Sequence, residues 1–233
     1  MQGAEGQGAR RTISPEEVAV LRAIVRDHCG VTYGLDSGFL FERRLGPRIE
    51  ALGLDGFTAY CDYLRRPIEG PAEIAHLVEL LTTHETYFFR EIFQLDAFRR
   101  EVLPELVEER AALRRLTLWS AGCSTGEEAY TLAMILLESG ACPGWGLRVL
   151  GTDISRRVLG AARVGVYGPS SFRTTEPELR DRYFDPVGES FRVRDEVRAL
   201  CSFRQVNLVD TDALATVGPV DAIFCRNVLM YLA

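Results

Sequence analysis

The stretch Leu118-Trp119-Ser120-Ala121-Gly122-Cys123-Ser124-Thr125-Gly126-Glu127-Glu128 decides the fold. It begins as a short apolar run, passes through glycine and other small residues, and opens an apolar segment of helical spacing over 127–137. A strand that reverses through small residues into a helix is the first turn of a ligand-binding α/β domain, because a ligand can come close to the bare backbone there. The spacing Gly-x-x-x-Gly is not the Gly-x-Gly-x-x-Gly of dinucleotide binders, and two acids at a helix start would repel a pyrophosphate. Glu127 suits a cationic ligand group. The competing reading of the turn alone is an ordinary glycine-bearing connection with a capping glutamate.

Downstream, further short apolar runs at 148–151, 203–207 and 220–225 alternate with a helical segment at 155–162, as the run at 116–121 does with 127–137. Strand and helix in alternation predict right-handed crossovers and a mainly parallel, doubly wound sheet, with ligand at the carboxyl ends of the strands. Gly151-Thr152-Asp153 ends the second strand roughly 26 residues past the turn, close to the position of a ribose-binding acid. Asp153 would there accept from both ribose hydroxyls, or it would cap the next helix. Asn207 and Arg226-Asn227 end the later strands and point at the same crevice. Between 165 and 200, Pro169, Pro177 and Pro186 interrupt the alternation. That segment reads as an insertion with a helix at 178–183 and a hairpin through Phe191-Arg192-Val193-Arg194.

Upstream, the pattern is helical. Ser14, Pro15 and Glu17 form a capping box, Val18, Leu21, Ile24 and Val25 fall at helical spacing, and Gly30 ends the run. Further helices are expected at 39–54, 57–64, 72–81 and 93–110. The chain thus divides into a disordered leader (1–12), a helical domain (13–82), a helical linker and active-site segment (83–115) and an α/β domain (116–233) that carries the insertion (165–200).

Composition narrows the function. A net charge of −6, with 33 acidic and 27 basic residues, argues against holding nucleic acid by phosphate neutralisation. Six cysteines are scattered without a Cys-x-x-Cys pair, and three histidines stand apart from them, so neither a metal site nor a disulfide scaffold is expected. No apolar run approaches the roughly 18 residues of a membrane span, and 1–11 lacks the apolar core of a signal peptide, so the expected location is the cytoplasm.

Five ordered stretches carry a resemblance. Leu81-Thr82-Thr83-His84-Glu85-Thr86-Tyr87-Phe88-Phe89-Arg90-Glu91, the run 119–130, Thr152-Asp153-Ile154, Val206-Asn207-Leu208 and Asp221-Ala222-Ile223-Phe224-Cys225-Arg226-Asn227-Val228-Leu229-Met230-Tyr231 resemble the CheR-type chemoreceptor glutamate methyltransferases. Phe41-Glu42-Arg43-Arg44-Leu45 through Ala51-Leu52-Gly53-Leu54 resembles that family's N-terminal helices. The resemblance implies a Rossmann-like methyltransferase that moves a methyl group from S-adenosylmethionine to receptor glutamates and leaves S-adenosylhomocysteine. It implies that Thr86, Arg90, Glu127, Asp153, Asn207, Leu208, Arg226 and Asn227 line the cofactor site, with Arg90 and Tyr231 at the reaction centre and no metal. Arg43, Arg44 and Arg48 would form a patch for the acidic methylation helices of a receptor.

The chain also departs from that pattern. His84 stands where some members carry Asn, and it is left out of the site. The insertion resembles the family's β-subdomain, but its turn Asp185-Pro186-Val187-Gly188-Glu189-Ser190 is shorter than in members that dock a receptor pentapeptide, so no pentapeptide docking is expected. The chain stops at Ala233, where the family continues through another helix and two strands, which leaves the expectation of a fragment or a degenerate protein. The rival function is a noncatalytic S-adenosylmethionine-binding or interaction module.

Overall fold

A computed structural model describes residues 12–232, which fall into two units: the residues up to Thr82 joined by the chain end from Tyr231, and Thr83–Met230. Of the leader expected at 1–12, all but Thr12 lies outside the described residues.

The first unit holds α1 (Pro15–Cys29), α2 (Gly38–Ala51), α3 (Phe57–Leu64) and α4 (Gly70–Leu81). The capping box forms as expected: the Glu17 amide donates to Ser14 Oγ at 3.2 Å and the Ser14 amide to the Glu17 carboxylate at 2.8 Å. Gly30 ends α1 in the left-handed region at φ 74°. Leu21, Val25, Phe41, Leu45, Ile49 and Leu77 are fully buried, so the apolar faces of α1, α2 and α4 meet in one core. Helix α2 stops at Ala51, short of the expected 54, and Gly53 follows at φ 66°.

The three arginines of α2 separate. Arg48 grips Glu73 with both arms of its fork, at 3.0 and 2.6 Å, and Tyr60 donates to the same carboxylate at 2.9 Å. Arg44 Nη1 donates to the carbonyls of Leu81 and Thr82 and so satisfies the open end of α4. Arg43 is exposed. At the chain end, the Tyr231 carbonyl accepts from the Thr32 amide at 2.9 Å, and Val31 pairs with Leu232.

The second unit starts with α5 (Ile92–Ala97) and α6 (Leu103–Arg110), joined by a π-helical turn over Phe98–Val102 where one unbroken helix was expected. Then come β1 (Arg115–Ala121), α7 (Glu127–Ser139), β2 (Gly146–Asp153) and α8 (Arg156–Val164). The insertion follows with β3 (Val166–Tyr167), a 3-10 turn (Pro169–Phe172), α9 (Pro177–Tyr183), β4 (Phe184–Val187), β5 (Ser190–Val193) and α10 (Asp195–Arg198). The chain returns through β6 (Cys201–Gln205), α11 (Thr211–Ala215) and β7 (Ala222–Phe224).

The main sheet runs β6-β2-β1-β7 with every pair parallel, which is the doubly wound arrangement expected. Alternation along β1 explains the two layers. Leu116 and Leu118 pack with Leu132, Met134 and Leu136 of α7, while Trp119 and Ala121 pack with Leu150, Leu208 and Leu214 on the other face. The chain steps from β1 outward to β2 and β6, then returns to β7 on the opposite side of β1. That reversal opens the crevice at the carboxyl ends of β1 and β7.

The insertion is a three-stranded antiparallel sheet, β3-β5-β4, rather than a lone hairpin. Asp185, Pro186 and Val187, expected in the turn, are strand residues, because Asp185 pairs with Arg192 and Val187 with Ser190. The turn shrinks to Gly188-Glu189, with Gly188 at φ 61°.

Candidate functional site

The turn after β1 is held to the tip of β2. Thr152 carbonyl accepts from the Gly122 and Cys123 amides, both at 2.8 Å, and the Ser124 amide donates to Asp153 Oδ2 at 2.9 Å. Asp153 Oδ1 accepts from the Ser155 amide at 3.0 Å. Ser155, not Asp153, caps α8, because its hydroxyl accepts from Val158. The capping alternative for Asp153 therefore fails, and its carboxylate sits buried between two strand tips.

Glycine is required in this turn on two counts. Gly122 lies at φ 78°, and a Cβ there would stand 2.4 Å from a Val228 methyl. Gly126 lies at φ 96°, and a Cβ would meet that of Ala162 at 2.8 Å. At the start of α7 the N-cap residue, Gly126, has no side chain to cap the helix, and the Glu127 carboxylate accepts from its own backbone amide. That carboxylate, in a residue only 2% exposed, also accepts from Thr125 Oγ1 at 2.6 Å and Ser171 Oγ at 3.0 Å. Burial pushes its pKa up, and the hydroxyl hydrogen bonds pull it back only in part. A buried carboxylate stabilised by neutral hydroxyls favours a cationic ligand group.

The segment before α5 is clamped to the tip of β7. Arg226 Nη2 donates to the Arg90 carbonyl, Nε to Gln94 Oε1 at 2.6 Å, and Nη1 to Glu128 Oε2 at 3.2 Å. Asn227 Nδ2 donates to Glu91 Oε1 at 2.9 Å. The Arg90 guanidinium donates to the Glu85 carbonyl at 2.6 Å and lies 3.9 Å from the Glu91 carboxylate. The insertion braces the same segment: Phe88 donates its amide to the Ser171 carbonyl at 2.9 Å, and its ring stacks on Phe172.

Among the described residues, five that are not glycine have positive φ, and four of them lie in these segments: Phe89, Glu91, Ser124 and Asn227. Strain of this kind persists only where the surroundings over-determine the backbone, and it gathers at functional sites.

The structure thus ties the Arg90 loop to Arg226 and Asn227 after β7, ties Asp153 at the end of β2 to the turn after β1, and sets Glu127 at the start of α7. Asn207 and Leu208 follow the end of β6 at Gln205, where Leu208 packs on the Trp119 face and the Asn207 side chain accepts from the Val209 amide at 3.3 Å. Thr86 is half-buried ahead of the clamped segment, and the His84 carbonyl accepts from Ser124 Oγ at 3.4 Å. Tyr231, 43% exposed, belongs to the helical unit and is no core aromatic. Sequence reasoning missed Ser171, Gln94 and Glu91. Ser171 offered no signal at all, since it lies in a proline-broken insertion 44 residues from the acid it touches.

Comparison with known families matches residues 84–233 to "CheR methyltransferase, SAM binding domain" and residues 16–82 to "CheR methyltransferase, all-alpha domain". The chain is 32% identical over 224 residues to the chemotaxis protein methyltransferase of Borreliella burgdorferi, covering 94% of this chain and 78% of that one. It is 32% identical over 221 residues to chemotaxis protein methyltransferase 1 of Pseudomonas aeruginosa, covering 92% and 78%. It is 35% identical over 211 residues to the probable biofilm formation methyltransferase WspC of the same species, covering 89% of this chain and 48% of that protein. With the helical unit matched to one domain description and the α/β unit to the other, the chain belongs to the CheR methyltransferase family.

Proposed function

We propose that the chain methylates glutamate side chains of chemoreceptors in the cytoplasm, using S-adenosylmethionine. The observation that carries this reading is the buried Glu127 beside the strand tips that hold Asp153 and the clamped Arg90. The donor set suits the cofactor: Glu127 would face its cationic amino group, Asp153 would accept from ribose hydroxyls, and the glycine turn admits close approach. Thr86, Asn207, Leu208, Arg226 and Asn227 complete the proposed lining. When bound, S-adenosylmethionine supplies a methyl group activated by a sulfonium centre.

The residues then have little acid–base work to do. A carboxylate nucleophile is already ionised near neutral pH, so no general base is needed. Opposite charges react to give neutral products, which makes alignment and exclusion of water the source of rate. Arg90 would hold a carboxylate through its planar fork, and Tyr231 would orient the nucleophile by hydrogen bonding. No metal enters this scheme.

Receptor recognition is proposed to use Arg43, whose side chain is open to an acidic helix, with Arg44 and Arg48 setting the α2 face behind it. No helix among the described residues is long and apolar enough to cross a membrane. Transfer of tritiated methyl from the cofactor to chemoreceptor-containing membranes tests the proposal, with Arg90→Ala as control. Transfer abolished by Arg90→Ala supports it. Calorimetric cofactor binding without any transfer overturns it in favour of a noncatalytic binding module.

A further inference from the structure

We propose that Glu91 is a positioning residue for Arg90, tying its loop to the tip of β7 through Asn227 and Arg226. The inference rests on Arg90 acting at the methyl-transfer centre and goes beyond it by naming what fixes Arg90 in place.

The backbone on both sides of Arg90 is bent into the left-handed region, at φ 56° for Phe89 and φ 53° for Glu91. A residue with a Cβ stays there only when its neighbours hold it. For Phe89 the hold is a hydrogen bond from its amide to Thr131 Oγ1 at 3.2 Å. For Glu91 it comes from β7: Asn227 donates to Oε1 at 2.9 Å, and Arg226 Nη2 lies 3.5 Å from Oε2.

Arg226 is the hub of this arrangement. Its side chain is 11% exposed, so its charge requires nearby carboxylates, and Glu91 and Glu128 stand on either side. Ser120 Oγ fixes Glu128 at 2.7 Å, which anchors the hub to β1. Glu128 therefore holds Arg226 to the sheet, and Glu91 holds the loop to Arg226. Removing the Glu91 carboxylate takes the acceptor from Asn227, one of two carboxylate partners from Arg226, and the carboxylate 3.9 Å from the Arg90 guanidinium. The Glu127 and Asp153 contacts stay intact. The consequence is a displaced Arg90 beside an undisturbed Glu127 and Asp153.

That consequence separates rate from binding. Full-length Glu91→Ala, Glu91→Gln and Arg90→Ala are compared with the parent for kcat on receptor membranes and for S-adenosylmethionine affinity by calorimetry. Glu91→Ala is expected to lower kcat about ten- to a hundredfold, as misplacement of an aligned group does, and to cost cofactor affinity less than it costs kcat, because the Glu127 and Asp153 contacts remain. Glu91→Gln keeps an oxygen for Asn227 and is expected to restore most of kcat. If Glu91→Ala does not fold, Glu91→Asp replaces it, since the shorter side chain keeps the charge but loses the reach.

An unchanged kcat in Glu91→Ala overturns the proposal, as does an equal loss of affinity and kcat, or a Glu91→Gln variant no better than alanine. Full activity in Arg90→Ala, or no transfer by the parent, overturns instead the reading on which it rests, and the proposal with it.

Discussion

The Ser171 hydroxyl donates to the Glu127 carboxylate at 3.0 Å, so the insertion supplies part of the electrostatic setting of a site built on the main sheet. Glu127 is a buried acid whose ionised form draws on two hydroxyl donors, Thr125 and Ser171, and on its own backbone amide.

Ser171→Ala removes one of those donors and raises the Glu127 pKa further. Cofactor affinity at neutral pH is expected to fall about ten- to a hundredfold, the worth of one hydrogen bond to a charged group. Because the cationic ligand group favours the ionised acid, affinity in both proteins falls as pH drops through the raised pKa, and the variant loses it at higher pH. Calorimetric titrations across a pH series measure the displacement.

Glu127→Gln separates stability from binding. A carboxyl whose folded pKa is raised contributes most to stability below its unfolded value and loses that contribution as pH rises through the folded value. At neutral pH the buried charge is thus a net cost. Glu127→Gln is expected to raise Tm there, with the gain vanishing in acid, and to weaken cofactor binding at least about tenfold. Thermal unfolding followed against pH checks the first expectation and calorimetry the second.

In the helical unit, Glu73 is 4% exposed, and burial pushes its carboxyl up, but Arg48 and Tyr60 outweigh that and hold the pKa below the ordinary carboxylate range. Its contribution is present above the unfolded value and disappears as pH falls through the depressed one. Arg48→Glu places a second acid against it and is expected to cost about 3 kcal/mol. Arg43→Glu on the exposed face is expected to change stability by less than about 0.5 kcal/mol while slowing receptor methylation. Denaturant unfolding and receptor assays on the two variants distinguish a folding arginine from a docking one.

Gly122→Ala combines a forbidden φ with a clash against Val228, and its cost should come apart. The single variant is expected to lose at least about 2 kcal/mol. Gly122→Ala with Val228→Ala removes the clash but not the backbone cost, so it should recover only part. Chemical denaturation of both variants and of Val228→Ala alone gives the partition.

A two-residue turn at Gly188-Glu189 and a proline in β4 leave the small sheet with a short edge that lacks one backbone donor. No binding of a receptor C-terminal pentapeptide at micromolar concentration is expected. Saturable micromolar binding in a direct titration would overturn this.

Much of where the candidate residues stand in the fold was legible in the sequence. The turn at 118–128, Asp153 and Arg226-Asn227 each end a strand, and a parallel sheet must bring strand ends to one edge. The helical unit was legible because its caps are local: Ser14 and Glu17 bond each other three residues apart, and Gly30 bonds back to Arg26 four residues away. Arg44 and Arg48 were not, because residue type and spacing on α2 say nothing of Leu81, Thr82 or Glu73 on another helix.

The amino-acid sequence by itself determined the order of strands and helices, the glycine turn and which acids stand at strand ends, because these follow from local periodicity and backbone sterics. Only the tertiary structure decided that Ser171 reaches Glu127, that Arg226 spends its donors on the loop of Arg90, and that Glu91 closes that clamp. Those links span 44 to 136 residues, and they depend on where separate chain segments come to rest rather than on any local preference.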